Sequence, residues 1–186
     1  PAQYQDPPDQ GRTPHSTIIY SRDQGDTWHI GSGAKSNTTE CQVVELEPGT
    51  LMLNMRDNRG GSRAVHITRD MGTTWQPHLS SRGALQEPVC NAGLLRVRST
   101  SSPRQPWLVF ANPNVPGAPR RNMTVKLSVD GGLTWPLSQQ MMLDSGLSAG
   151  YPSLTMIDAD KVGILYEGSR SQLTFQRVSL DVLFAR

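Results

Sequence analysis

The sequence predicts an all-β chain built from propeller blades, and three observations carry that prediction. A turn-like octapeptide occurs three times, as "SRDQGDTW" at 21–28, "TRDMGTTW" at 68–75 and "SVDGGLTW" at 128–135. Composition agrees: 17 Gly and 14 Pro, with only 35% hydrophobic residues, describe turns and short extended segments rather than long helices. Between the turn signals lie short runs with β-branched or alternating character, none of helical period.

In chain order those runs cover residues 16–21, 41–46, 51–55, 63–68, 92–97, 107–111, 123–128, 153–157, 161–166 and 172–180. The intervening stretches, among them "EPGT", "NRGG", "STSSPRQP" and "NPNVPGAPRRN", are rich in turn-forming residues. Each octapeptide follows the same kind of strand ("TIIYS", "AVHIT", "TVKLS"), so it marks one fixed place in a larger repeated sheet. Its chemistry is local: the Asp carboxylate accepts backbone N–H groups of its own turn, Gly permits positive φ, and Trp packs between strands. Asp23, Asp70 and Asp130 are spaced by 47 and 60 residues, close to the length of one four-stranded blade.

Aligned on this mark, one sheet runs from Cys41 to about His78 and a second from Ala92 to about Met142. A third runs from Ser153 to the end with three clear strands, and the front supplies the last two strands of an earlier blade. A propeller closes when a strand from one terminus completes the blade made by the other, because closure removes unpaired edges. Residues 1–186 are therefore read as a single domain truncated on its N-terminal side, the C-terminal half of a longer propeller.

The formal charge of +2 comes from 18 basic and 16 acidic residues spread along the chain, so nucleic acid is not an expected partner. No stretch is apolar over about 18 residues, so no membrane span is expected. Cys41 and Cys90 have neither zinc nor disulfide-framework spacing and read as buried free thiols. His15, His29, His66 and His78 share no zinc spacing, and no phosphate-binding Gly loop or nucleophilic Ser elbow is present. No metal or cofactor is expected.

Three longer segments occur in a fixed order: "TECQVVELEPGTLMLNMRDNRGG", "PRRNMTVKLSVDGGLTW" and "SAGYPSLTMI…VGILYEGS". With the Asp turns, they make nearly the whole chain resemble the C-terminal half of an exo-α-sialidase (neuraminidase) of the bacterial and animal cellular type. The resemblance implies a six-bladed propeller, of which about three blades are given, and a retaining hydrolase acting on terminal α-linked sialic acids.

Taken alone, Glu40 is a solvated strand end; the resemblance implies the glutamate that pairs with the nucleophile. Arg56 on its own reads as a partner of Asp57 in a surface turn, and by resemblance it is one arginine of a triad gripping the substrate carboxylate. Two carboxylate oxygens facing a planar guanidinium make a bidentate fit that lysine does not copy. The family spacing puts a second triad arginine at Arg120, with the adjacent Arg121 as the alternative that periodicity leaves open. Tyr151, in "GYPSL", matches the nucleophile segment, whereas Tyr166 reads as strand packing.

Sialic acid carries a carboxylate on its anomeric carbon, so a neutral phenol avoids a repulsion that a carboxylate nucleophile would meet; sialidases are a known exception to the two-carboxylate scheme. A phenol with a pKa near about 10 needs a base within reach, and Glu40 is the candidate. The resemblance also implies a third arginine and an acid/base aspartate toward the N-terminus, neither of them in this chain, so the isolated segment is expected to be inactive. Expected partners are sialylated glycans and the N-terminal half of the propeller, reached as a companion chain or by blade exchange. A secreted or periplasmic bacterial setting is expected by resemblance. Two competing readings use the same features: a non-enzymatic Asp-turn propeller binding glycans or proteins, and a trans-sialidase.

Overall fold

A computed structural model of the chain describes residues 1–97, 106–148 and 150–184. Apart from Pro106, the loop "STSSPRQP" lies outside the described residues, as does Ala149 of "SAG". The chain opens with β1 (Ala2–Gln5), β2 (Pro14–Thr17), β3 (Ile19–Tyr20), β4 (His29–Ile30) and β5 (Lys35–Ser36). It continues through β6 (Thr38–Glu47), β7 (Thr50–Asp57), β8 (Gly61–Ser62), β9 (Ala64–Thr68), β10 (Gln76–Pro77) and β11 (Gln86–Glu87). Then come β12 (Gly93–Val97), β13 (Trp107–Pro113), β14 (Arg121–Ser128), β15 (Gln140–Leu147), β16 (Gly150–Met156), β17 (Lys161–Glu167), β18 (Leu173–Ser179) and the short helix α1 (Leu180–Phe184).

All the strand pairings are antiparallel. Two four-stranded sheets, β10-β9-β7-β6 and β12-β13-β14-β15, are followed by a three-stranded sheet, β16-β17-β18. The all-β expectation and the division into these sheets stand. The front differs from the two strands expected there, because β1 joins β2 and β5 in a sheet of its own beside the β3-β4 hairpin. Strand β1 reads "AQYQ" and has no apolar alternation; it is held by backbone pairing, Ala2 opposite Thr17 and Gln5 opposite Pro14. The run at 16–21 is split at Ile18, where the chain exchanges β1 and β5 for β4 as its partner. The last run also ends early, since Leu180 opens α1 and buries itself with Leu183.

Alternation along each strand sends side chains to opposite faces, and three apolar clusters form between successive sheets. Ile18, Cys41, Leu53, Met55 and Ala64 make the first. Met52 and Val65 meet Leu94, Leu108, Phe110 and Trp135 in the second. Val109, Ala111, Val125 and Leu127 meet Val162, Ile164, Tyr166 and Val178 in the third. One strand can thus serve two clusters: Leu108 and Phe110 of β13 face one way, Val109 and Ala111 the other.

The Asp turns share one hydrogen-bond pattern. Asp70 Oδ1 accepts the Thr74 N–H at 2.9 Å, and Thr68 Oγ1 accepts the Gly72 N–H at 2.9 Å; Asp130 and Ser128 do the same for Thr134 and Gly132 at 3.0 and 2.9 Å. Gly25, Gly72 and Gly132 have φ of +104°, +83° and +86°, the left-handed region where a Cβ is penalised. Trp135 is buried against Phe110. Trp28 departs from the expectation of packing between strands: it is 63% exposed and its indole N–H turns back to the Gly25 carbonyl.

Candidate functional site

The residues singled out from sequence sit at irregularities of the sheets. In the β6–β7 ladder Thr39 pairs with Arg56 and Cys41 with Met55, so Glu40 is the extra residue of a bulge. A bulge bends the strand and re-aims the side chain it adds. At the start of β16, Gly150 pairs with Glu167 and Ser153 with Leu165, so Tyr151 and Pro152 together oppose a single residue. Gly150 has φ +98° and Tyr151 φ +48°; a non-glycine residue in this region is held there by its surroundings. A Cβ on Gly150 would stand 2.7 Å from Cys90 Sγ and 3.0 Å from Pro113 Cγ, so only glycine lets the strand approach this closely.

These irregularities bring Glu40, Arg56, Arg120 and Tyr151 together. The Tyr151 hydroxyl donates to Glu40 Oε1 at 2.6 Å, although the two residues are separated by 111 positions. Arg56 Nη1 donates to Glu40 Oε2 at 2.7 Å and lies 3.5 Å from Tyr151 Oη. The Arg120 guanidinium carbon is 5.7 Å from the centre of the Tyr151 ring, and Arg120 Nη2 donates to the Val89 carbonyl at 2.8 Å. Arg121 opens β14 as an exposed residue. Two clefts flank the group. One, of about 720 Å³, is lined by Arg120 with Pro119, Leu147, Glu167 and Leu173; a smaller one, of about 210 Å³, is lined by Glu40 with Pro1, Ala2 and Gln3.

The electrostatics follow from the contacts. Burial pushes the Glu40 carboxyl up, but hydrogen bonds from Tyr151 and Arg56 and the charges of Arg56 and Arg120 outweigh it and hold the group below its ordinary value. The hydrogen bond to Glu40 raises the Tyr151 phenol above its ordinary value, and partial burial adds to the rise. At neutral pH the arrangement is an ionised carboxylate holding the proton of a neutral phenol, a contact through which a proton can pass. Arg56 is half-buried, and although burial works against its charge, the Glu40 carboxylate raises its pKa.

The family model of the BNR repeat-like domain matches residues 4–164. The chain belongs to that family. This BNR-repeat chain is 51% identical over 173 residues to a sialidase of Bacteroides fragilis (strain YCH46), an alignment covering 92% of the chain and 32% of the relative. It is 34% identical over 153 residues to a sialidase of Micromonospora viridifaciens, covering 80% of the chain and 23% of that protein. Among solved structures, the Hadza microbial sialidase Hz136 superposes with a TM-score of 0.85 at 53% identity, over 91% of this chain and 33% of the other. The BNR-repeat chain thus spans about a third of the length of the first of these relatives.

Sequence reasoning missed the polar residues beneath the group. In the sequence Arg63 reads as the first residue of a strand, and Glu87, Asn54 and Val89 carry no signal of a site; in the structure Arg63, Asn54 and Glu87 are buried together behind Glu40. A charged residue ahead of "AVHIT" looks like any solvated strand start. Val89, in the left-handed region with φ +53°, has no sequence signal, because β-branched residues are the last expected there.

Proposed function

We propose that the chain is the C-terminal half of a six-bladed propeller domain acting as a retaining exo-α-sialidase on glycoconjugates that end in α-linked sialic acid. The observation that carries this reading is the 2.6 Å hydrogen bond from the Tyr151 hydroxyl to Glu40, with Arg56 on the other carboxylate oxygen. Kinship to sialidases of Bacteroides fragilis and Micromonospora viridifaciens supports it.

In the proposed reaction Tyr151 Oη attacks the anomeric carbon while its proton passes to Glu40 Oε1. The bond to the aglycone oxygen breaks, and that oxygen takes a proton from an acid outside these residues. Water then attacks the anomeric carbon opposite the tyrosyl oxygen, on the face the aglycone left, and displaces it, its proton going to the external base while the phenol recovers its own from Glu40; two inversions give retention. Arg56 and Arg120 bind the substrate carboxylate, and a third arginine from the preceding segment completes the grip. Residues 1–186 alone are inactive on this account, since loss of an acid/base group costs about 10²–10⁴ in rate. Substrates on outer glycans suit a secreted or periplasmic protein; no helix among the described residues is long and apolar enough to cross a membrane.

The test is turnover of a methylumbelliferyl sialoside by the full-length protein. Tyr151→Phe is expected to lose several powers of ten in kcat, as removal of a nucleophile does elsewhere, and Glu40→Gln about 10²–10⁴. Turnover by Tyr151→Phe equal to the parent's rules out the assigned nucleophile.

A further inference from the structure

The four residues of the site come from three different sheets or loops, and something must hold their backbones in register. Arg63 is fully buried, as is Glu87. The guanidinium has five N–H donors, and Arg63 makes five hydrogen bonds with them. Nε donates to Asn54 Oδ1 at 2.7 Å; Nη1 to the Cys90 carbonyl at 2.7 Å and to Glu87 Oε2 at 3.3 Å; Nη2 to the carbonyls of Glu40 and Asn54, both at 3.3 Å. Glu87 is equally committed: Oε2 accepts the Cys90 N–H at 2.9 Å, and Oε1 accepts the Asp57 N–H at 3.3 Å.

The points gripped include Glu40, the residue after Arg56, and Cys90, through which Arg120 and Tyr151 are reached. Glu40 is held through its own carbonyl, and Arg56 through the next peptide N–H, that of Asp57. Cys90 is held at both its N–H and its carbonyl, which fixes Val89, the residue whose carbonyl takes the Arg120 guanidinium. The Cys90 sulfur stands 2.7 Å from where a Cβ on Gly150, immediately before Tyr151, would be. The pair thus bonds directly beside Glu40 and Arg56, and reaches Arg120 and Tyr151 through Val89 and Cys90.

We infer that the buried Arg63–Glu87 pair is a positioning device for the site, locking the backbone at Glu40, Asp57 and Cys90 so that Tyr151, Glu40, Arg56 and Arg120 converge. Its reading in kinetic terms rests on the function proposed above; its geometric content does not. A site group is held only as well as the groups supporting it, and a misplacement of about 1 Å costs on the order of 100-fold in rate.

The test separates positioning from mere stability. Replacing both partners together, as Arg63→Met with Glu87→Met, removes a buried pair without stranding a charge, a change that is often neutral for folding. The full-length double variant leaves buried backbone groups without partners and is expected to lose some Tm, but to keep its near-ultraviolet circular dichroism at the assay temperature while kcat/KM on a methylumbelliferyl sialoside falls about 100-fold. Tyr151 ionisation, read as the phenolate absorbance difference from the same background carrying Tyr151→Phe, is expected to move down toward the ordinary tyrosine value as Glu40 leaves its hydroxyl. A folded double variant whose Tyr151 titration and kcat/KM match the parent's overturns the inference. If the double variant does not fold, Arg63→Lys takes its place: lysine keeps the charge but has three donors on one nitrogen, the same two changes are expected, and parental values overturn the inference. A parent without sialoside turnover whose Tyr151 titration still depends on Arg63 and Glu87 leaves the positioning role standing and removes the hydrolase reading instead.

Discussion

Strands β13 and β17 are both interior strands of antiparallel sheets, and both carry an unbroken apolar run, "WLVFA" and "VGILY". The structure uses the two runs differently. Along β13, Leu108 and Phe110 are buried in one inter-sheet cluster and Val109 and Ala111 in another. Along β17, Val162, Ile164 and Tyr166 are buried, but Leu165 is 41% exposed beside Phe175 of β18, itself 56% exposed. An apolar run written for a strand covered on both faces is covered here on one. A strand's sequence states what it is able to bury; its neighbours decide how much of that is realised.

The comparison can be broken most decisively by one substitution made on each side. Phe110→Ala removes a fully buried ring packed on Trp135 and is expected to cost about 3–5 kcal/mol in denaturant unfolding. Phe175→Ala, the same chemical change on the open face, is expected to stay within about 0.5 kcal/mol in this chain. Equal costs would mean that the last sheet is covered on both faces in solution.

The covered sheet also carries a price that the open one does not. Lys126 of β14 is almost fully buried, its Nζ donating to Asn114 Oδ1 at 2.9 Å, and burial draws its ammonium down to about 7. Unfolded lysine titrates near about 10.4, so between these values the unfolded chain binds more protons and stability rises with pH. Lys126→Met is expected to raise stability at pH 7 by on the order of a few kcal/mol and to flatten the rise toward pH 10. Asn114 Oδ1 keeps the Gln86 side-chain N–H at 3.0 Å. A variant no more stable than the parent at pH 7 would show that water reaches the amine.

A double change on the open face, Leu165→Ser with Phe175→Ser, is expected to lower binding of a hydrophobic dye with little change in unfolding midpoint, because the area removed is already in water. The smallest effect belongs to the turn closing the covered sheet. Partial burial raises the Asp130 carboxyl, but hydrogen bonds from Thr134 and Ser128 win and leave it below its ordinary value. Its contribution is present above about pH 4, the ordinary Asp range, and is lost as pH falls through the lowered value. Asp130→Ala is expected to lower Tm slightly at pH 7, with the difference from the parent shrinking in acid.

How far the sequence could be read depended on whether a signal was local. The repeated Asp turns and the apolar runs mark the two four-stranded sheets and the final three strands, since side-chain alternation and turn hydrogen bonds involve residues close together in the chain. Strand β1 escaped because "AQYQ" buries almost nothing and is held by backbone pairing, with Tyr4 stacked on His15, rather than by an apolar face. The four candidate site residues were found by resemblance rather than by pattern: Glu40 looks like a strand end, and the bulge that re-aims it exists only once β6 and β7 are paired. Arg63 and Glu87 left no trace, since a charge is legible as buried only when its partners are known.

The sequence by itself determined an all-β chain, where its turns fall, and which residue types are available at the candidate site. Only the tertiary structure decided that Tyr151 meets Glu40 across 111 residues and that one buried ion pair grips the chain at Glu40, Asp57 and Cys90. Side-chain alternation and turn chemistry are set by neighbours in sequence. Convergence is set by how sheets stack, and it depends on all of their faces at once.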